Sequence, residues 1–355
     1  MRILVVTQYF WPENFRVNDL VLGLVARGHE VEVLTGLPNY PDGRFFSGYG
    51  WFKRPREALD GVRIIRAPIF PRGRGGALRL ALNYLSFALA ASIVGPLACR
   101  GRFDAIFVHE PSPITVGLPA IVMKQLKHAP VLFWVLDLWP ESLSATGAVR
   151  SPWVLRQVDR LVRYIYRHCD RVLVQSRGFV ERIARQGVDR ARIEYFPNWA
   201  ESVYRSAASA AVPIPALPDG FRLMFAGNIG AAQDFPTVLG AAERLRDLPD
   251  LKWVLVGEGR MAEWGAEEVR RRGLAGAVVM LGRHPVEAMP DLFAAADAML
   301  VTLRPDPVFA LTIPAKVQAY LASGRPIVAA LDGEGAAVVR ESGAGIVCPA
   351  GDVEA

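Results

Sequence analysis

The stretch 309-FALTIPAKVQAYLASGRP-326 decides the fold. It follows an apolar, strand-like run, Ala298–Leu303, and precedes another, Ile327–Leu331. Pro314 suits the first turn of a helix, where its missing N–H costs nothing, and Gly324 and Pro326 stop that helix. The unit reads as strand, loop, helix, strand. In an open parallel sheet such a loop lies at the carboxyl ends of the strands, where ligands bind. Lys316 falls in the first helical turn, near the backbone N–H groups of Thr312 and Ile313. An anion such as a diphosphate would be held by both kinds of donor. The plainer alternative is a lysine on a helix surface.

Outward from this stretch the same grammar repeats. Ile3–Thr7, Glu30–Thr35, Val62–Arg66, Ala105–His109, Val131–Leu136, Arg171–Gln175 and Ile193–Phe196 are strand candidates, with apolar segments of helix length between most of them. The pattern fades near Tyr204 and restarts with Arg222–Ala226, Trp253–Val256, Val278–Leu281 and Gly345–Cys348. Strands alternating with helices imply α/β architecture with parallel, doubly wound sheets. The expected division is 1–204, a small-residue, Pro-rich linker at 205–220, and 221–355. The last strand lacks a following helix, so a truncated chain is expected.

At 355 residues the chain can fill two cores. Hydrophobic residues at 52% against 21% charged exclude general disorder. Three cysteines without metal spacing, Cys99, Cys169 and Cys348, fit a reducing compartment. Met1 leads directly into a strand, so no signal peptide is expected. Residues 1–200 carry 27 Lys+Arg against 16 Asp+Glu, a net +11, whereas residues 201–355 carry 14 against 19, a net −5. A basic first half points to an anionic partner. No nucleic-acid module is visible, which leaves a membrane surface or a lipid diphosphate.

Two segments bear on that partner. Residues 77–98, ALRLALNYLSFALAASIVGPLA, contain Arg79 as their single charge and are flanked by Arg72, Arg74, Arg100 and Arg102. The length would admit a membrane span, but the segment sits between two strands of one sheet. A core helix and an interfacial helix with basic flanks both remain open. Further on, Ser151-Pro152 begins a helix to about His168, along which Arg156, Arg160, Arg163 and Arg167 share one face. That stripe is either solvated or lipid-facing.

Six motifs, in order, carry a family likeness: QYFWPEN at 8–14, RGHEVEVLTGLPNYPDG at 27–43, DLWPES at 137–142, AGNIGAAQDF at 226–235, VGEG at 256–259 and IPAKVQAYLASGRPI at 313–327. With them the chain resembles a retaining family 4 glycosyltransferase of the GT-B fold, and within it the N-acetyl-fucosamine transferase type of bacterial O-antigen, capsule and colanic-acid assembly. The resemblance implies two Rossmann-like domains facing a cleft. It implies transfer of a sugar, with retention, from a nucleotide-sugar donor (UDP-linked is the expectation) to an undecaprenyl-diphosphate-linked or other saccharide acceptor. No cofactor and no metal are expected. The expected location is cytoplasmic, peripheral on the inner face of the plasma membrane. An epimerase of the same fold and a non-catalytic nucleotide-sugar-binding protein are the alternatives.

The donor side is expected at Gly227, Asn228 and Gly230, a glycine pair after a strand that lets backbone approach a phosphate. Gln233, Gly257, Glu258, Arg283, Thr312, Ile313 and Lys316 complete it. Many relatives place Arg and Lys where Asn228 and Gln233 stand, so the cation must come from elsewhere: Lys316 first, then Arg304 and Arg260. A pair of glutamates common in such enzymes is replaced by Leu311 and Ala319. Asp137 and Glu110, each ending a strand of the first half, compete as the carboxylate that holds sugar hydroxyls, steadies an oxocarbenium or accepts a proton. The catalytic set is thus Asp137, Glu110 and Lys316. Glu13, Asn14 and Arg16, with Asn39, Tyr40 and Arg44 in the long 36–61 loop, are expected to touch the acceptor. His109 stands in the same strand end, His109-Glu110-Pro111, that competes for that role, although lone histidines are usually structural. His29, before a strand, is expected to be structural.

Overall fold

The computed structural model describes residues 1–73, 76–204 and 212–355. Two compact units emerge: residues 1–175 with 179–196, and residues 176–178 with 197–355. In the first, β1 (Arg2–Val6), α1 (Arg16–Ala26), β2 (Glu30–Gly36), β3 (Arg56–Leu59), β4 (Val62–Ala67), α2 (Ala77–Ala98), β5 (Ala105–Glu110), α3 (Gly117–Lys127), β6 (Val131–Val135), α4 (Glu141–Ala145), α5 (Pro152–His168), β7 (Arg171–Val174), α6 (Gly178–Arg185) and β8 (Ile193–Tyr195) follow one another. The sheet order is β3-β4-β2-β1-β5-β6-β7-β8. All pairs are parallel except β3 with β4. Strands covered on both faces read as continuous apolar runs, and Leu4, Val5 and Val6 of β1 are fully buried.

The second unit contains β9 (Phe221–Ala226), α7 (Phe235–Arg244), β10 (Leu251–Val256), α8 (Ala262–Arg271), β11 (Val278–Gly282), α9 (Met289–Ala294), β12 (Ala298–Thr302), α10 (Pro307–Ala310), α11 (Ala315–Ser323), β13 (Ile327–Ala330), α12 (Gly333–Glu341) and β14 (Gly345–Cys348). Its sheet is parallel with order β11-β10-β9-β12-β13-β14. Two apolar clusters form its core. One holds Val301, Val317, Tyr320 and Ala329, and the other Phe225, Ile229, Phe235 and Leu239. Each unit reverses strand order once, between β1 and β5 in the first and between β9 and β12 in the second. Those reversals are where loops part and a crevice opens in doubly wound sheets.

Three expectations change. The 36–61 segment is not one long loop, because β3 pairs antiparallel with β4. Its sequence, REAL, is polar because an edge strand faces solvent on one side. The second unit begins at Pro197, and the ring of Tyr204 stacks on Phe293 at 5.6 Å. The expected linker is divided. Residues 205–211 lie outside the described residues, while Val212, Ile214 and Leu217 pack on the second core. Small and proline-rich as it is, that stretch carries enough apolar area to be held down. Arg74 of the basic flank also lies outside the described residues.

Cys99 and Cys169 are buried and Cys348 is half-buried, all as free thiols. Burial raises the thiol pKa of Cys99, pushes Cys169 up to about 12, and raises Cys348.

Candidate active site

In the second unit the strand reversal is held open by one side chain. β9 pairs with β12 only at Leu223 and Met224. Beyond that point the Tyr320 hydroxyl takes over: the Ala226 N–H donates to it at 2.9 Å, and it donates to the Ala226 carbonyl at 3.2 Å. Tyr320 is fully buried on α11. Lys316, four residues earlier, lies on the same helix face and so arrives beside the loop that follows β9. Its ammonium sits 4.6 Å from the centroid of the Phe225 ring.

Gly227 makes room for it. A Cβ there would lie 2.6 Å from Lys316 Cε, and the residue holds φ 140°. Gly257 does the same one strand away: at φ 142°, a Cβ would lie 1.9 Å from the Gly227 carbonyl oxygen. Among the described residues no carboxylate pairs with Lys316. Burial lowers its pKa to about 8. A half-buried ammonium with a ring face beside it and no carboxylate partner is arranged for an anion that arrives from outside.

The other expected donor residues divide. Asn228, Glu258 and Arg283 are exposed around the loop ends, and the Glu258 carbonyl accepts the Ile229 N–H at 2.8 Å. Gln233 does not reach outward in place of a lysine. Its side-chain oxygen accepts the Gly230 N–H at 3.1 Å, and its carbonyl accepts from Thr302 Oγ1. It closes the turn instead. Thr312 is likewise spent: its N–H donates to Phe309 O at 3.0 Å and its hydroxyl to Val308 O at 3.2 Å. Ile313 packs its side chain into the core. Pro314 is the residue before α11 rather than inside it. Of the alternative cations, Arg260 is exposed and Arg304 lies over the Phe309 ring at 5.9 Å.

In the first unit the reversal is bridged by Thr7 Oγ1 and His109 Nδ1 at 3.0 Å. Burial, with Arg16 nearby, lowers His109 to about 3, so the ring is neutral and structural. Glu110 ends β5 completely buried, and both carboxylate oxygens lack a hydrogen-bond partner. Burial, then the charge of Asp137, raises its pKa well above the usual carboxylate range. Asp137 itself is partly exposed. Burial raises it to about 6 against the opposing influence of Ser142 and Trp139. The two competitors therefore differ near neutrality: Glu110 is held as the acid, and Asp137 is the carboxylate that a hydroxyl can reach. Tyr166, whose hydroxyl is also unpartnered, feels the same two acids.

Glu13 and Asn39 are not open to an acceptor. Glu13 is buried, and its Oε1 accepts the N–H groups of Asn39 and Tyr40, both at 2.7 Å. Burial, partly offset by those two donors, raises Glu13 to about 7. Asn39, also buried, accepts the Arg72 N–H at 3.1 Å and donates to Leu37 O at 3.0 Å. Together they staple the loop after β2. Asn14 is exposed and Arg16 half-buried. Tyr40 stays 38% exposed, with the Arg72 guanidinium 5.2 Å from its ring centroid. Arg44 lines a cavity of about 380 Å³ with Asp42, Phe45, Pro71, Gly73 and Arg79. Gly43 and Gly73 meet at its floor, where the Gly73 N–H donates to Gly43 O at 2.9 Å. Arg79, Phe225 and Tyr320 were missed as site residues; for Tyr320 the signal was its four-residue spacing from Lys316.

A family model described as glycosyl transferase 4-like domain matches residues 14–199, and one described as glycosyl transferases group 1 matches residues 220–355. Among curated proteins, the chain is 26% identical to a putative colanic acid biosynthesis glycosyl transferase, WcaI, of Escherichia coli strain K12, over 91% of this chain and 82% of that one. It is 27% identical to a probable glycosyltransferase, WbjE, of Pseudomonas aeruginosa, over 72% of this chain and 65% of that one. Among solved structures, Anabaena Alr3699/HepE in complex with UDP-glucose superposes with TM-score 0.65 at 17% identity, over all of this chain and 87% of that one. That likeness is one of fold: two parallel-sheet, Rossmann-like units, the GT-B architecture.

Proposed function

Because the chain belongs to the glycosyl transferase 4-like family, we propose that it moves a sugar from a nucleotide-sugar donor to a lipid-linked or saccharide acceptor, with retention, in the assembly of a cell-surface polysaccharide. The observation that carries this reading is the unpaired ammonium of Lys316 beside the Gly227 loop at the strand reversal. The donor is a nucleoside diphosphate sugar, UDP-linked in our reading, and the sugar an N-acetylated deoxyhexose. Colanic acid synthesis in the name of WcaI and UDP-glucose in the HepE complex support the pathway and the donor class.

The chemistry needs little beyond charge control. The bond from C1 to the diphosphate oxygen breaks, and a bond from C1 to an acceptor hydroxyl oxygen forms. The hydroxyl proton passes to the departing phosphate oxygen on the same face. Negative charge grows on the diphosphate, and a fixed cation beside it stabilises it more than the ground state. Lys316 supplies that cation, standing in for the arginine and lysine absent at Asn228 and Gln233. Asp137, ionised near neutrality, orients the acceptor hydroxyl, while Glu110 remains protonated behind it. No metal or cofactor takes a part in this reading. The acceptor's anionic end takes the Arg44–Arg79 cavity, and the enzyme works from the cytoplasmic side of the membrane.

Lys316→Met tests the reading in an assay with a panel of labelled nucleotide sugars and a lipid extract. We expect kcat/KM to fall by about 10²–10³ with thermal unfolding unchanged. Wild-type transfer by that variant would overturn the role given to Lys316. Epimerised donor, or donor bound without transfer, would overturn the reaction.

A further inference from the structure

One face of α2 lies open. Leu78, Leu82, Leu85, Leu89, Ile93 and Leu97 recur every three or four residues and are 44–75% exposed. Such spacing draws a single apolar line along a helix, about 28 Å long at 1.5 Å per residue. The opposite face is core: Asn83, Phe87, Ala88, Ala91 and Gly95 are buried. A Cβ on Gly95 would lie 2.8 Å from Leu34 Cδ2 and 3.0 Å from Met123 Sδ, so the helix is pressed against β2 and α3. Asn83 pins it further, accepting from Gln8 Nε2 at 2.7 Å and donating to Phe70 O at 2.6 Å.

The open line continues into the adjoining loops. The Phe70 N–H donates to Ser86 Oγ at 3.0 Å, and the Trp51 ring meets the Phe70 ring edge-on at 5.6 Å. Trp51 and Phe70 are each 51% exposed and Phe52 is 94% exposed. Charge frames this apolar surface on its ends only. Lys53 and Arg54 follow Phe52, Arg79 stands in the first turn of α2, and Arg100 and Arg102 follow its last turn, all exposed. No acidic residue lies between Ala77 and Ala98. An apolar middle with cations at the margins is what the boundary between acyl chains and anionic headgroups accepts, and indole and phenyl rings settle at the same depth.

We propose that this surface docks the protein on an anionic lipid bilayer, with α2 lying in the plane of the membrane rather than across it. Crossing would withdraw the buried face of α2 from the sheet it covers. The proposal deepens the reading of a lipid-linked acceptor and rests on it for its purpose. The Arg44–Arg79 cavity abuts the first turn of the docked helix, so a lipid phosphate need not leave the headgroup layer to reach it.

Flotation of the full chain with equimolar phosphatidylglycerol–phosphatidylcholine vesicles is the test, run beside UDP-sugar titration in solution. The wild type should float, and pure phosphatidylcholine should recover several-fold less. The double variant Leu82→Glu/Leu89→Glu should lose at least tenfold in vesicle partition, and Phe52→Ser several-fold, with donor affinity and circular dichroism unchanged in both. Failure of the wild type to float, or equal flotation of the double variant, would overturn the docking surface. So would a stable dimer that does not float and that the double substitution dissociates, because the face would then belong to a second copy. Absent donor binding in a protein that floats would count against the transferase reading alone.

Discussion

Lys316 and Asp137 face opposite demands on protonation. In the proposed reaction the first carries charge, with its pKa lowered to about 8, and the second is ionised, with its pKa raised to about 6. Desolvation dominates both shifts, lowering the amine and raising the acid. The free enzyme is therefore competent between the two values. The profile of kcat/KM against pH should rise through about 6 as Asp137 loses its proton and fall through about 8 as Lys316 loses its own. Lys316→Arg should remove the alkaline limb, since guanidinium stays charged there. A flat profile across this range would contradict both assignments. At this scale, the place of Lys316 in the first turn of α11 was legible from Pro314 and the strand-loop before it. Glu13 and Asn39 were misread for a physical reason. Sequence shows that a carboxylate or amide follows a strand, but not whether the loop folds over it. Here the backbone N–H groups of the next loop close on Glu13.

Among the elements, α11 does two things with one face. Lys316 brings charge to the loop after β9, and Tyr320 occupies the backbone groups that β12 leaves unpaired. Buried N–H and C=O groups must be satisfied, so the divergence of β9 and β12 depends on that hydroxyl. Tyr320→Phe should lower stability by about 1–3 kcal/mol, the cost of leaving buried backbone groups unsatisfied. It should also weaken UDP-sugar binding, because the crevice edge and Lys316 share the helix. Chemical denaturation and titration calorimetry would check the two parts, and an unchanged donor affinity would uncouple Tyr320 from the site. The elements themselves were largely readable: apolar runs bounded by glycine and proline marked all strands but β3. That one escaped because edge position replaces hydrophobic patterning with Arg56 and Glu57, and Glu57 is held by Arg66 from β4. The open or buried state of α2 was undecidable from its composition, since an apolar helix scores alike with one face covered or two. Exposure of its leucines settled the matter.

The whole chain divides its charge between its halves, +11 over residues 1–200 and −5 over the remainder. The docking surface lies in the basic half. The GT-B architecture and the family were legible because six motifs kept their order over nearly the full length. The extent of the second unit was not, because the Pro-rich segment ahead of β9 uses its few apolar side chains to pack rather than to connect. The thiols offer a last consequence. With all three raised in pKa and two of them buried, the native chain should consume less than one equivalent of a thiol reagent in minutes and three after unfolding. A cysteine introduced on an exposed surface would then be the fast one. Fluorophores could be attached residue by residue along α2, in an otherwise native background, to read immersion depth by quenching from labelled lipids.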